Sequence, residues 1–270
     1  MPTFAEQTAV HADGADNYRT SLVEGWDIGS VTNGGYVLAL VVRAMLDAVD
    51  KSDPVSVNAH YERPGYPGPA TIRIERGRQG RTLSTVGAVL IQDGKEVIRT
   101  MGTFANTEQM EGPELILANP PTLSPRDECV RAVRESPDSF YPPPFVDRFD
   151  IRHDPKYIGF ASGNPAGEPT MGGWLSLLDD EPLDAVALTM FADAFPPTIF
   201  NTDLPVGWAP TIELTVHYRQ RAISAAVAGI YSSKFIFGGL FSGDAELWDL
   251  EAGLLIEARQ MALLPELGPR

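Results

Sequence analysis

Val55-Ser56-Val57-Asn58-Ala59-His60-Tyr61 returns in altered form as Thr211-Ile212-Glu213-Leu214-Thr215-Val216-His217-Tyr218. Both runs are strand-like and end on His-Tyr, and each is followed by further strand-like runs in the same order. Self-similarity of this kind sets the architecture before any other feature, because each copy is one folding unit repeated along the chain. Two copies of a small α+β unit are therefore expected.

Working outward from the first run, Asn33 precedes the apolar stretch Gly34 to Leu46. Asn33 suits a helix N-cap, and a helix apolar almost all round must be enclosed by other structure. Downstream, strands are expected at 55–61, 70–79, 81–92 and 95–104, with Asp93-Gly94 as a two-residue hairpin turn. The second half repeats this order. Pro182 suits the first position of a helix over 183–194, which Pro196-Pro197 stops. Strands at 211–218, 222–237, 240–249 and 254–264 then follow, with Glu251-Ala252-Gly253 standing where Asp93-Gly94 stood. Between the halves lies a proline-rich stretch with one helical segment expected near 126–135. The expected organisation is a repeat over 1–110, a connection over 111–148 and a second repeat over 149–270.

Composition limits the function. With 270 residues and 43% hydrophobic content the chain can hold a sizeable core. A net charge of -15 argues against nucleic-acid binding, which needs clustered cations facing phosphates. Local basic groups, Arg73, Arg76, Arg78 and Arg81, then Arg219, Arg221 and Lys234, suit either a small anionic ligand or solvated strand edges. No apolar run is long enough to span a membrane, and the acidic first residues lack the order of a signal peptide, so the cytoplasm is the expected location. A single cysteine, Cys129, excludes an internal disulfide, and its acidic neighbours work against a reactive thiolate.

Chemistry is sought where the two copies differ. Asp193 lies in Phe191-Ala192-Asp193-Ala194-Phe195-Pro196, a carboxylate among apolar groups near a helix end. If buried, it is a candidate for tuned acid-base work; if the helix end faces water, it is an ordinary surface acid. Counting forward from Gly94 and Gly253 puts Gln260 opposite Met101, a polar residue at an apolar position. Thr211 opens its strand with a hydroxyl, and alternation puts Thr215 on the same face. Gly34-Gly35 can bring backbone N–H groups to a carbonyl oxygen, or can serve close packing. The four histidines form no close pair, and no metal or cofactor is expected. No nucleophile elbow, Walker loop or dinucleotide fingerprint occurs.

Together Trp26 to Ala44 with its Asn33-Gly34-Gly35-Tyr36 core, Phe191-Ala192-Asp193, Pro210 to Arg219, and Glu257-Ala258-Arg259-Gln260 resemble the double hot-dog acyl-CoA thioesterases of the thioesterase II type. That resemblance implies two tandem hot-dog folds, each an antiparallel sheet wrapped around a helix, and assembly into homo-oligomers. It implies hydrolysis of acyl-CoA, with Asp193, Thr211 and Gln260 holding and activating a water. Gly34 and Gly35 become candidate oxyanion or substrate contacts, and Phe191, Phe195 and Trp208 candidate groove residues. Two other functions stay open: a non-catalytic acyl-CoA or lipid-binding module, and a hydratase or dehydratase, which would need a histidine beside its carboxylate.

Overall fold

The computed structural model describes residues 2–134, 142–178 and 181–265. Beside a two-stranded ribbon of Asp27–Ile28 with Val31–Thr32, the strands of its main sheet in chain order are β1 (His11–Ala12), β2 (Asn17–Leu22), β3 (Asp53–Tyr61), β4 (Gly68–Gln79), β5 (Ser84–Gln92), β6 (Lys95–Ala105) and β7 (Val130–Arg131), then β8 (Phe149–His153), β9 (Thr170–Leu177), β10 (Thr211–Tyr218), β11 (Ala226–Phe237), β12 (Leu240–Asp249) and β13 (Gly253–Leu263). All join one antiparallel sheet in the order β1-β2-β4-β5-β6-β3-β10-β13-β12-β11-β9-β8-β7. The order is a near mirror about the β3–β10 pair. Each half is a hot-dog unit, and the two fuse where β3 and β10 bond, with Val57 opposite Val216.

A long helix, Gly34–Ala48, fills the first unit. Asn33 caps it, its Oδ1 accepting from the Tyr36 N–H at 2.9 Å. Leu38, Leu40, Val41 and Val42 are wholly buried, as enclosure by the sheet and the other unit requires. The second unit's helix is shorter than the sequence suggests, Ala185–Phe191, with Asp184 as the N-cap in place of a start at Pro182. The chain then turns: the Asp193 N–H donates to Met190 O and that of Ala194 to Phe191 O. Pro196 and Pro197 have no N–H to carry the helix on. Asp193 thus sits just beyond the helix, in the turn.

Three other expectations need correction. Residues 126–134 are not helical; Val130–Arg131 pairs with β8, and the Ala132 N–H donates to Ile151 O, while Glu135 lies outside the described residues. Edge pairing satisfies the backbone groups that a helix would otherwise have used. The structural partner of Gln260 is Gly102, not Met101. Asp93-Gly94 is a two-residue turn with both φ positive, whereas the chain spends three residues, 250–252, on the corresponding turn. That extra residue shifts the count by one, as the pairs Val86–Gly102 and Gly243–Gln260 show. Thirdly, Thr211 and Thr215 do not share a face, because a register shift between Thr211 and Glu213 reverses the alternation.

Candidate active site

The site lies where the start of the long helix meets the turn after the short one. Gly35 makes the approach possible: a Cβ there would lie 2.6 Å from Met190 O and 2.9 Å from the Asp193 Cβ. Without one, the Gly35 N–H donates to Asp193 Oδ2 at 3.0 Å. Asn33 Nδ2 donates to the Asp193 carbonyl at 3.2 Å while its Oδ1 caps the helix. A carboxylate at a helix N-terminus gains from the dipole and the free N–H groups.

Gln260 approaches from β13. Its Nε2 donates to Asp193 Oδ1 at 3.0 Å and to Thr211 Oγ1 at 2.5 Å. Both amide hydrogens are thereby used, which leaves the Thr211 O–H as a donor toward the cavity. Thr215 is elsewhere, donating to Glu213 and accepting from Asn58 Nδ2 at 2.8 Å. The structure therefore brings Asp193, Thr211 and Gln260 together and leaves Thr215 outside.

Burial decides the state of Asp193. Asp193 is half-buried and lines the cavity, and desolvation raises its pKa from 3.8 to about 6, against the lowering pull of the Gly35 and Gln260 hydrogen bonds. Dipole and hydrogen bonds are each worth about 1 kcal/mol here, and burial exceeds them. The neighbouring phenols are neutral. Burial lifts Tyr61 and Tyr231 well above 10, with the charge of Asp193 adding to the rise.

A cavity of about 360 Å³ leads to this point, within the range of small-molecule sites. Val31, Val97 and Phe145 line one side, and Phe195, Tyr231 and Phe241 the other, with Trp208 half-exposed at the edge. Phe195 and Trp208 thus face the cavity as expected, but Phe191 does not. It is wholly buried, its ring centroid 5.7 Å from that of Phe149. Among the described residues, no histidine lines the cavity. Gly34 also lines it, whereas the N–H of Gly35 is already committed to Asp193.

The matching place in the first unit carries no such chemistry. Register puts Gly102 opposite Gln260 and Pro54 opposite Thr211, and the two helix caps put Val42 opposite Asp193. A Cβ on Gly102 would meet Phe104 at 2.7 Å and Met45 at 2.8 Å, so that space is filled. The basic groups are largely spoken for: Arg73, Arg76, Arg219 and Arg221 all form ion pairs. Cys129 is buried, and that burial pushes its thiol pKa up.

Asn33, Tyr61 and Tyr231 escaped notice as site residues. The sequence signals for Asn33 are its capping position and its place in the Asn33-Gly34-Gly35-Tyr36 motif, and for Tyr61 its place at the end of the repeated strand.

Known proteins resemble this chain along nearly its whole length. The chain is similar over its full length to a candidate thioesterase II from Thermobifida fusca, with 29% identity, a TM-score of 0.86, and coverage of 98% of this chain and 99% of that one. A hot-dog protein of unknown function from Alicyclobacillus acidocaldarius superposes with a TM-score of 0.85 at 19% identity, over 99% of this chain and 98% of that one. An uncharacterised Mycobacterium tuberculosis protein is 23% identical across 92% of this chain and 91% of its own length. Residues 22–105 match the model of the acyl-CoA thioesterase N-terminal domain, and residues 126–264 that of the acyl-CoA thioesterase C-terminal domain. With both domain models matched in order across the two hot-dog units, the chain belongs to the acyl-CoA thioesterase family.

Proposed function

We propose that the protein hydrolyses acyl-CoA thioesters to the free acid and coenzyme A through a water held by Asp193, Thr211 and Gln260. The convergence of these three groups at one end of an apolar cavity carries this reading. Asp193, ionised above pH about 6, accepts a proton from the water as its oxygen attacks the thioester carbonyl carbon. The tetrahedral oxyanion collapses, the C–S bond breaks, and the proton held by Asp193 passes to the departing sulfur. General-base assistance is worth roughly 10²- to 10⁴-fold, and an oxyanion donor a further 10²- to 10³-fold. The Thr211 hydroxyl orients the water, and the Gly34 N–H at the start of the long helix is the candidate oxyanion donor.

We place the acyl chain in the second unit. Its helix stops at Phe191, seven residues long against fifteen in the first unit, and the floor behind the turn is made of Gly243, Ala245 and Ala258. Homo-oligomeric assembly rests on the family likeness, and cytoplasmic location on the sequence expectation alone; among the described residues no helix is long and apolar enough to cross a membrane. The absence of a histidine from the cavity lining disfavours a hydratase.

The test is release of free thiol from short-, medium- and long-chain acyl-CoA by wild type and Asp193→Ala. Turnover lost in the variant, with acyl-CoA binding retained, supports the reading. Binding without turnover in wild type would make the protein a binding module.

A further inference from the structure

The phenol of Tyr61 has a task that the hydrolytic triad leaves unnamed. Its hydroxyl donates to the carbonyl oxygen of Gly34 at 3.0 Å. That carbonyl belongs to the same peptide group as the Gly35 N–H, which donates to Asp193 Oδ2 at 3.0 Å. A peptide group is planar, so fixing its oxygen fixes the direction of its hydrogen. Hydrogen bonds in series also polarise one another, making the N–H a stronger donor to the carboxylate. The Tyr61 ring lies close against this peptide: a Cβ on Gly34 would be 3.2 Å from its Cε1.

The repeat supplies the contrast. Tyr218 ends β10 as Tyr61 ends β3, yet its hydroxyl bonds to Thr189 Oγ1 at 2.6 Å inside the second unit. Only the first unit's tyrosine is turned onto the helix start that faces Asp193. A second phenol, Tyr231, donates to Phe191 O at 2.5 Å and steadies the turn that carries Asp193.

We propose that Tyr61 is a positioning residue for Asp193, acting through the Gly34–Gly35 peptide to aim and strengthen the donor that holds the carboxylate. Removing its hydroxyl leaves the ionised carboxylate less well held, so Asp193 gives up its proton at higher pH. The ionisable groups acting on this pair are few. Asp193 feels burial and the hydrogen bonds from Gly35 and Gln260, with Asn33 Nδ2 a third donor, to its Oδ2 at 3.5 Å; Tyr61 on β3 feels Asp193 and Glu213, Tyr231 on β11 feels Asp193, and Glu62, Arg63 and Asp244 line the same cavity. Both phenols stay neutral through the range in which Asp193 titrates.

The kinetic part of the test rests on the proposed hydrolysis; the titration part does not. The Asp193 carboxyl is followed by ¹³C NMR on aspartate-labelled, ligand-free protein, in wild type, Tyr61→Phe, Tyr218→Phe and Asp193→Asn, the last assigning the signal. Tyr61→Phe is expected to move the titration to higher pH, and Tyr218→Phe to leave it in place. In turnover, Tyr61→Phe is expected to lower kcat about tenfold with KM nearly constant, and to move the acid limb of the profile to higher pH. If the phenylalanine variant does not fold, 3-fluorotyrosine at position 61, a stronger donor of the same shape, is expected to move the titration to lower pH. An Asp193 titration unchanged by either substitution overturns the proposal. Absence of wild-type turnover with the titration shifted as expected would refute the hydrolase reading and leave the positioning role standing.

Discussion

Replacing Asp193 by asparagine is expected to abolish hydrolysis and to stabilise the fold at neutral pH. In the folded chain the carboxyl titrates at about 6 against an ordinary 3.8. At ~1.4 kcal/mol per factor of ten, keeping it ionised costs the native state about 3 kcal/mol at pH 8. The sign follows from the raised pKa: between about 4 and 6 the native state binds more protons than the unfolded one, so stability falls as pH rises through that window. Asparagine carries no charge and escapes this cost. It keeps an acceptor for the Gly35 N–H but sets its own NH₂ against Gln260 Nε2, a mismatch of about 1 kcal/mol. Asp193→Asn is therefore expected to be about 2 kcal/mol more stable than wild type at pH 8, and about 1 kcal/mol less stable at pH 3.5. Urea unfolding of both proteins from pH 3.5 to 8 measures the difference. A stability gap that does not change with pH would refute the claim that Asp193 is desolvated.

Thr211→Ala is expected to lower kcat by about ten- to a hundredfold, while Thr215→Ala, outside the cavity, leaves it near wild type; steady-state kinetics on both tests the effect of the bulge. Gly35→Ala would push a methyl group to within 2.6 Å of Met190 O and 2.9 Å of the Asp193 Cβ, so a loss of kcat beyond a hundredfold and a lower Tm are expected. Gly243 faces open space, its nearest neighbour to a Cβ being Gln260 Oε1 at 3.8 Å. Gly243→Val should fold normally and shift preference toward shorter acyl chains, seen as a changed ratio of kcat/KM across chain lengths. For wild type, kcat/KM is expected to rise with pH through about 6 as Asp193 ionises, with a flat profile across that range counting against it as the base.

The repeat, its strands and the long helix were legible because they depend on local pattern: the Asn33 cap, the apolar stretch after it, and Asp93-Gly94 with its two positive φ angles. Asp193 and Gln260 stood out as polar residues in apolar settings. Their meeting, however, depends on Gly35 admitting Asp193 from 158 residues away, which no local pattern encodes. Thr211 and Thr215 could not be told apart because alternation assumes a regular strand, and a one-residue bulge inverts it. The same arithmetic misplaced the partner of Gln260, since two hairpins of equal appearance differ by one turn residue. Tyr61 and Tyr218 are alike in sequence and differ only in what the fold sets before their hydroxyls.

The central claim is that water attacks the thioester directly, without an acyl-enzyme. A single turnover of excess enzyme with acyl-CoA in H₂¹⁸O, read by mass spectrometry of the released acid and of the peptide carrying Asp193, tests this most directly. The account predicts one ¹⁸O in the acid and none in Asp193. Unlabelled acid with ¹⁸O in the Asp193 carboxylate would show an anhydride intermediate and contradict it.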